Sequence, residues 1–493
     1  MVFGKLKDKI QAAKSSGSAS SGSGGSDLAT AAYPPNKREI YKARVQEGVN
    51  LGGWFCLEKW LAPAMYSSFK DDNGGDDSEY AAVSASVREQ GVDKTREKWE
   101  KHWDSFVTEE DFKWLADKHV NAVRVPMGYW TLGEKFVGGT PFAENRVAEV
   151  YRSAWEKYKK MISTAGNHGI AVLVDMHGVP GGANGDSHSG VKGGGKFFEN
   201  SKLVAQAVDA LAFVAEQVKS FDNIVGIQIV NEAAWDSKTD EYYNSAIRRI
   251  REIDAGQYVY ISDAWNRSKY VEFAKSRPGV VVDTHVYRCF SDEDCKKSAE
   301  QLIKDVREKE ALDSHCVVGE YSCTLSGSSW DKGGDRDKLK REYGQTQIDV
   351  FARSAAGSFF WTYKFAEGRG GEWDFREMYD HGSIAPPKRS GRKASSDDAD
   401  KRAKDATASH EKYWSEHAQG KKMDHARYES GFKIGWQDAA AFWALDESKI
   451  GARDGWKLMR TNDHTGQNGQ SEFVWEFEQG LDAGVKAFEE SVK

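Results

Sequence analysis

The sequence predicts a (β/α)8 barrel carrying a charged insertion after its first strand and a helical extension at its C-terminal end. Two observations point there. Eight short apolar runs recur along the chain, and helix-length polar segments separate most of them. A third concerns the ends of the runs: all but the fifth lead into polar or aromatic residues at the same, carboxyl end. A doubly wound sheet shares the alternation, so periodicity alone leaves that architecture open.

The elements follow in order. Phe3, Leu6 and Ile10 share one face of a short helix with lysines opposite. That pattern suits a frayed, solvated end, and a membrane-surface anchor is the competing reading. A Ser/Gly tract over 15–26 reads as a flexible linker, and order is expected to resume near Tyr33-Pro34-Pro35. Strands are predicted at 45–51, 122–127, 170–176, 224–230, 258–262, 280–286, 317–319 and 358–361. Helices are predicted over 146–168, 202–221, 241–253, 294–310 and 338–355. The stretch 64–110 is too long and too charged for a simple connection and is expected to be an insertion over one rim. After Trp361 the pattern lapses, and 368–404, charged and Gly-rich, reads as a loop or a mobile lid. Beyond it, Tyr428-Glu429-x-Gly431-x-x-x-Gly435 is echoed by Phe477-Glu478-x-Gly480-x-x-x-Gly484. Small residues four apart with flanking aromatics predict two helices in close contact. The expected organisation is therefore a disordered segment over 1–32, the barrel over 33–365, and a lid-like loop with an extension packed on the barrel over 366–493.

Composition narrows the class of function. Lys+Arg 69 against Asp+Glu 76 gives a net charge of −7, whereas a dedicated nucleic-acid binder would carry a basic excess. With 17 Trp, 19 Tyr and 23 Phe beside 48 Gly, the chain suits a loop-rich enzyme that stacks rings on flat ligands such as sugars, although core filling accounts for most of those rings. Five cysteines at irregular spacing form no CxxC or CxxH pattern, so no zinc site is expected. Gly193-Gly194-Gly195-Lys196 lacks the spacing of a phosphate loop. No signal-like or membrane-spanning run is present, which leads to the expectation of a cytoplasmic chain with reduced thiols.

The run ends carry the chemistry. Ile227-Gln228-Ile229-Val230-Asn231-Glu232 and Cys316-Val317-Val318-Gly319-Glu320-Tyr321 each finish an apolar strand on a glutamate. Desolvation opposes a charge there, so the position is poor for stability and suited to chemistry. Arg124 lies between valines as a buried charge that should have a carboxylate partner. Other strand ends supply Glu58, His177, His285, Tyr287, Trp361 and Tyr363. On opposite sides of a barrel mouth, Glu232 and Glu320 could stand about 5–5.5 Å apart, the separation of a retaining glycosidase. One would stay protonated as the acid while the other stays ionised to attack the anomeric carbon. Arg124 and Tyr287 would hold Glu320 ionised, Asn231 would take the sugar 2-OH, Glu58 and His177 other hydroxyls, and Trp361 or Tyr363 the floor under the ring. Any one alone could be a satisfied core polar residue, the commoner reading for a lone His or Arg, but seven at the same strand end fit that reading poorly.

Set together, these motifs resemble a known family. Gly48-Val49-Asn50-Leu51-Gly52-Gly53-Trp54 with Glu58 and Trp60, Arg124-Val125-Pro126-Met127-Gly128-Tyr129-Trp130, Asp175-Met176-His177-Gly178, Asn231-Glu232, His285-Val286-Tyr287 with Phe290-Ser291, Gly319-Glu320-Tyr321-Ser322 and Phe360-Trp361 look like glycoside hydrolase family 5, and within it like fungal exo-β-1,3-glucanases. The resemblance spans about 45–364. It implies a retaining mechanism with Glu232 as acid/base, Glu320 as nucleophile, and Glu58, Arg124, His177, Asn231, His285 and Tyr287 in the sugar site. It also makes Phe290 one jaw of an aromatic clamp at the entrance. Three departures stand out. Ala233-Ala234-Trp235 follows the acid/base where the family usually has proline, which puts Trp235 in line for leaving-group space. No aromatic faces Phe290 from Gly181-Gly182-Ala183-Asn184, and the second tryptophan of strand eight is Tyr363. The expected function is hydrolysis of terminal β-linked glucose from a β-glucan oligosaccharide or β-glucoside by a monomer that needs no cofactor or metal. A membrane-associated hydrolase of glucosylated sterol or sphingolipid is the alternative, and a non-catalytic carbohydrate-binding barrel the alternative of another class.

Overall fold

The structure is a computed structural model that describes residues 33–68, 76–310, 312–392, 399–418, 420 and 422–493. The expected N-terminal helix, Ser/Gly linker and disordered segment over 1–32 lie outside the described residues.

Eight parallel strands close into a barrel in sequence order: β1 (Gln46–Asn50), β2 (Ala122–Gly128), β3 (Ala171–Gly178), β4 (Ile224–Gln228), β5 (Val259–Ser262), β6 (Val280–Val286), β7 (Cys316–Tyr321) and β8 (Gly357–Phe360). Pairing of β1 with β8, Gly48 opposite Phe359, completes the ring and excludes the open doubly wound sheet. The strands are buried on both faces, which is why they read as near-continuous apolar runs. Helices Ala154–Asn167, Ser201–Val218, Thr239–Arg251, Ala299–Lys309 and Arg336–Ser354 fill the predicted connections. The first is shorter than expected, because the chain turns through positive φ at Asn145 and Arg146 inside the preceding 3-10 segment. A short helix after β5, Arg267–Lys275, capped by Asn266, has no counterpart in the sequence prediction.

The insertion after β1 is helical, with Glu79–Gln90 and Val92–Ser105. It is tied to the first βα loop by Leu57 N–H donating to the Glu79 carboxylate at 2.8 Å and by Trp54 Nε1 donating to the Trp103 carbonyl at 2.9 Å. The stretch expected as a loop or lid is partly regular: Phe375–Asp380 is a helix with Phe375 buried, and Arg389 pairs with Glu47 at 2.9 Å.

The C-terminal extension closes the amino end of the barrel, opposite the strand ends that carry the predicted site. Phe442, Ile450, Trp456 and Met459 form one apolar cluster with Ala122, Ala171, Val225, Val281 and Val317, residues from the starts or lower turns of five strands. Val45 N–H donates to the Lys449 carbonyl and Gly451 N–H to the Ala43 carbonyl, both at 2.8 Å. The glycine echo lies between helices His425–Ala444 and Val474–Ser491. A Cβ on Gly431 or Gly435 would collide with the carbonyl oxygens of Phe477 or Leu481, and one on Gly480 or Gly484 with those of Tyr428 or Phe432. The two backbones therefore meet at a distance only glycine permits. No helix among the described residues is long and apolar enough to cross a membrane.

Candidate active site

At the carboxyl end of the strands a cavity of about 470 Å³ opens. Its wall includes Glu58, His177, Asn231, Glu232, His285, Tyr287, Glu320 and Trp361, a volume in the range of small-ligand sites.

Two local features aim the glutamates. Between β6 and β7 the register slips by one residue, Thr284 opposite Val318 and then His285 opposite Glu320. Gly319 is the extra residue of that bulge, and a Cβ there would run into the Asp283 carboxylate. Glu232, just past β4, has φ +40°, a left-handed conformation that costs a non-glycine residue about 1–3 kcal/mol. Neighbours enforce it: Asn184 Nδ2 donates to the Glu232 carbonyl at 3.0 Å, and Ala233 N–H donates to Ser262 Oγ at 3.2 Å.

A carboxylate oxygen of Glu232 and one of Glu320 lie within 4.8 Å of one another, with His285 between them. His285 Nδ1 stands 2.8 Å from Glu232 Oε1 and 3.4 Å from Glu320 Oε2, and its Nε2 stands 3.1 Å from Asp283 Oδ2. Glu320 accepts from Arg124 Nη1 at 2.9 Å and from the Tyr287 hydroxyl at 2.8 Å. Burial first, and the Glu320 charge second, push the Tyr287 phenol well above its ordinary range, so it remains a donor.

Arg124 is fully buried beneath the cavity rather than in its wall. Its guanidinium binds Gln228, Asn50, Glu320 and Asn231 at 2.7–2.9 Å and pairs with Asp175 at 3.0 Å and Asp283 at 3.7 Å. Burial opposes its charge, but the three carboxylates outweigh that and raise it further. Asp283 is the reciprocal case: burial works against its charge, and His285, Arg124 and Gln228 hold it below the usual carboxylate range.

The expectation of an acid that stays protonated by itself is not met at Glu232, which is joined to His285 through one hydrogen bond. Burial works against the Glu232 charge, yet the hydrogen bond and charge of His285, with His188 and His177, hold the carboxyl down at about 2. Burial also opposes a charge on His285, but Glu320, Asp283 and Glu232 outweigh it and hold the imidazole well above its usual value. The pair therefore keeps one proton through neutral pH, within a single 2.8 Å hydrogen bond of the carboxylate oxygen.

Around the pair, His177 Nδ1 meets Asp175 at 2.8 Å and its Nε2 lies 3.3 Å from Asn231 Nδ2, while Trp361 stacks parallel to its ring at 6.0 Å. Glu58, bonded by Trp60 Nε1 at 2.9 Å, is pushed up to about 7 by burial. Phe290 is 70% exposed at the mouth and packs on Tyr287 and Trp373.

Besides Arg124, which lies under the sugar site rather than in its wall, the structure corrects two placements. Tyr363 does not line the cavity: β8 ends at Phe360, the strand alternation lapses, and the Tyr363 hydroxyl turns away to donate to Asp111 at 2.7 Å. Trp235 does not line it either. It is 64% exposed, and Ala234 N–H docks the loop on the Ala183 carbonyl at 3.1 Å. Residues that sequence reasoning missed fall into two groups. Asn50, Asp175, Gln228 and Asp283 form the buried layer under the glutamates, and His188, Trp265 and Trp373 stand in the wall. Trp265 alone left a signal, as an aromatic three residues past the fifth strand, the one strand whose end offers no candidate site residue in the sequence.

The His285 imidazole takes the position between the glutamates, and Glu320 already accepts from Arg124 and Tyr287.

Glu79, 1% exposed, is likewise pushed up to about 7, by burial against its bonds to Leu57 and Tyr151. Its folded value lies above its unfolded one, so the stability tied to its protonation is fully present below about pH 4.5 and lost as pH rises through about 7. The loss is roughly 3 kcal/mol at most. Urea midpoints should fall between about pH 5 and about pH 8 by more in wild type than in Glu79→Gln; parallel declines would contradict the assignment.

Residues 82–367 match the family model described as cellulase (glycosyl hydrolase family 5). Residues 395–492 match the model of the glucan 1,3-β-glucosidase 3 C-terminal domain. The chain is 36% identical to an uncharacterized glycosyl hydrolase of Saccharomyces cerevisiae, over 99% of each chain. It is 34% identical to glucan 1,3-β-glucosidase 3 of Schizosaccharomyces pombe, over 91% of this chain and 96% of that one. Among solved structures, the rutinosidase from Aspergillus niger superposes with a TM-score of 0.54 at 17% identity, over 70% of this chain and 99% of that one, a likeness of fold.

Proposed function

Because the chain belongs to glycoside hydrolase family 5, we propose that it is a retaining β-glycosidase of exo-β-1,3-glucanase type, releasing terminal β-linked glucose by double displacement. The observation that carries the retaining reading is the approach of the Glu232 and Glu320 carboxylate oxygens to within 4.8 Å. Inverting enzymes hold the two carboxyl groups about 6.5–9.5 Å apart to fit a water between them and the sugar. The name of the Schizosaccharomyces pombe relative supports the 1,3-linkage.

In this reading Glu320 is the nucleophile, and the Arg124 and Tyr287 donors orient it. Glu232 is the acid/base. As Glu320 attacks the anomeric carbon its charge is consumed, and the strongest attraction holding the proton on His285 fades. The proton passes across the hydrogen bond to Glu232 and on to the leaving oxygen. His285 and Glu232 are then neutral and anionic, ready to take a proton from the water that cleaves the glycosyl ester, which returns the site to its starting state. Asn231 lies beside both Glu232 and Arg124, where it can meet the sugar 2-OH. Glu58, His177 and Trp361 would hold the remaining ring.

Glu232→Ala should slow deglycosylation of an aryl β-glucoside by about 10²–10⁴-fold, and azide should restore at least about 10-fold of it as a β-glycosyl azide. An α-azide, or no rescue in a folded variant, contradicts the assignment. The exposed Trp265 and Phe290 at the mouth favour a second reading of the leaving group, an apolar aglycone such as a glucosylated lipid. Comparing laminari-oligosaccharides with gluco-lipids as substrates separates the two.

A further inference from the structure

Far from the strand-end cavity, three helices of the C-terminal extension bring two imidazoles and a carboxylate together. His410 is on helix Ala399–His417, His425 begins helix His425–Ala444, and Glu476 lies in the first turn of helix Val474–Ser491. His410 Nε2 is 3.0 Å and His425 Nδ1 2.8 Å from the same oxygen, Glu476 Oε2. The other oxygen accepts from Asp424 N–H at 2.6 Å, which fixes the carboxylate plane with Oε2 facing both rings. All three donor atoms lie within 4.8 Å of one another.

The Glu476 carboxylate is fully buried, and no lysine or arginine of the described residues pairs with it. A buried anion needs a compensating cation, and among the described residues its side-chain partners are the two imidazoles. Both ring nitrogens stand against one oxygen instead of dividing between the two, which gathers two imidazole nitrogens and a carboxylate oxygen within 4.8 Å of one another. Tyr428 stacks on His410 at 4.0 Å, and Trp414 and Trp475 pack beside it, so the inner side is walled by rings. His425, 24% exposed, leaves the outer side open to solvent.

We propose that His410, His425 and Glu476 bind a zinc-type divalent cation, with water as the fourth ligand from the side of His425, and that the ion ties the three helices together. Two imidazoles with one carboxylate are a donor set zinc accepts. At metal–ligand distances of about 2.0–2.2 Å, tetrahedral ligand atoms stand roughly 3.4 Å apart. The present N···O spacings need only a few tenths of an ångström of side-chain rotation to reach that. The ion supplies the positive charge that Glu476 lacks.

The test uses the full chain, stripped with a chelator and titrated with Zn²⁺ by calorimetry and with Co²⁺ by visible absorption. The expected result is one equivalent bound, with the strong bands of tetrahedral cobalt and a thermal midpoint raised by several degrees. His425→Ala and Glu476→Gln should weaken binding by at least about 100-fold, while Glu320→Gln binds as wild type. His425→Ala keeps the buried His410–Glu476 contact, and circular dichroism confirms that it is folded. Failure of the folded wild type to bind either ion overturns the proposal and leaves a hydrogen-bonded latch. Binding that survives both extension variants, or is lost in Glu320→Gln, overturns it as well.

Discussion

Glu320→Gln is expected to lower turnover of an aryl β-glucoside by at least about 10³-fold while the protein stays folded. The amide keeps the shape of the side chain and one acceptor for Arg124 or Tyr287, but it cannot form the glycosyl ester. Arg124 retains Asp175 and Asp283 as anionic partners, so the buried layer survives the loss of one charge. Steady-state rates beside a urea unfolding curve check both halves of the expectation. A folded variant with more than about a tenth of wild-type activity would move the nucleophile elsewhere.

Arg124→Ala is expected to be the most damaging single change to stability near the site, at about 3–5 kcal/mol. The guanidinium is the shared cation for Asp175, Asp283 and Glu320, all of them buried, and it also satisfies Asn50, Gln228 and Asn231. Without it three carboxylates face one another in a dry layer with their shared cation gone. Their mutual repulsion grows with their charge, so the variant should be least damaged at low pH and lose stability as pH rises. Denaturation at about pH 5 and about pH 8 checks this; equal losses at both would mean that the layer does not depend on the arginine charge. Activity should be lost in the same variant, because Glu320 loses an orienting donor.

Much of this was legible in the chain for physical reasons. Parallel barrel strands are buried on both faces, so Val280-Val281-Val282 or Val123-Arg124-Val125 reads as a strand, and a charge at or inside such a run marks a site. The glycine echo was legible because nothing larger fits where the backbones of Tyr428 and Phe477 cross. Other features depend on where strands stop or on contacts between distant segments. Tyr363 was misplaced because it reads as part of the end of strand eight, whereas β8 stops at Phe360 and the chain turns toward Asp111. Asp283 reads as an interior strand residue in Val282-Asp283-Thr284; alternation along β6 sets it on the face of His285, and only the closed barrel brings it to Arg124. Trp373 follows a Gly-rich charged stretch that gives no period, and its place in the wall comes from packing on Tyr287 and Trp60. The extension's seat under the barrel rests on contacts such as Trp456 with the lower strand residues, which no local pattern announces.

The central claim is that Glu320 attacks the sugar while Glu232, supplied by His285, moves the proton. Trapping with a 2-deoxy-2-fluoro-β-glucoside bearing a good leaving group tests it most directly, because fluorine slows release of the covalent intermediate. Mass spectrometry of the digested protein should find the sugar on the peptide carrying Glu320. Sugar attached to Glu232 or Glu58, or an unlabelled enzyme that releases the inverted product, would contradict the account.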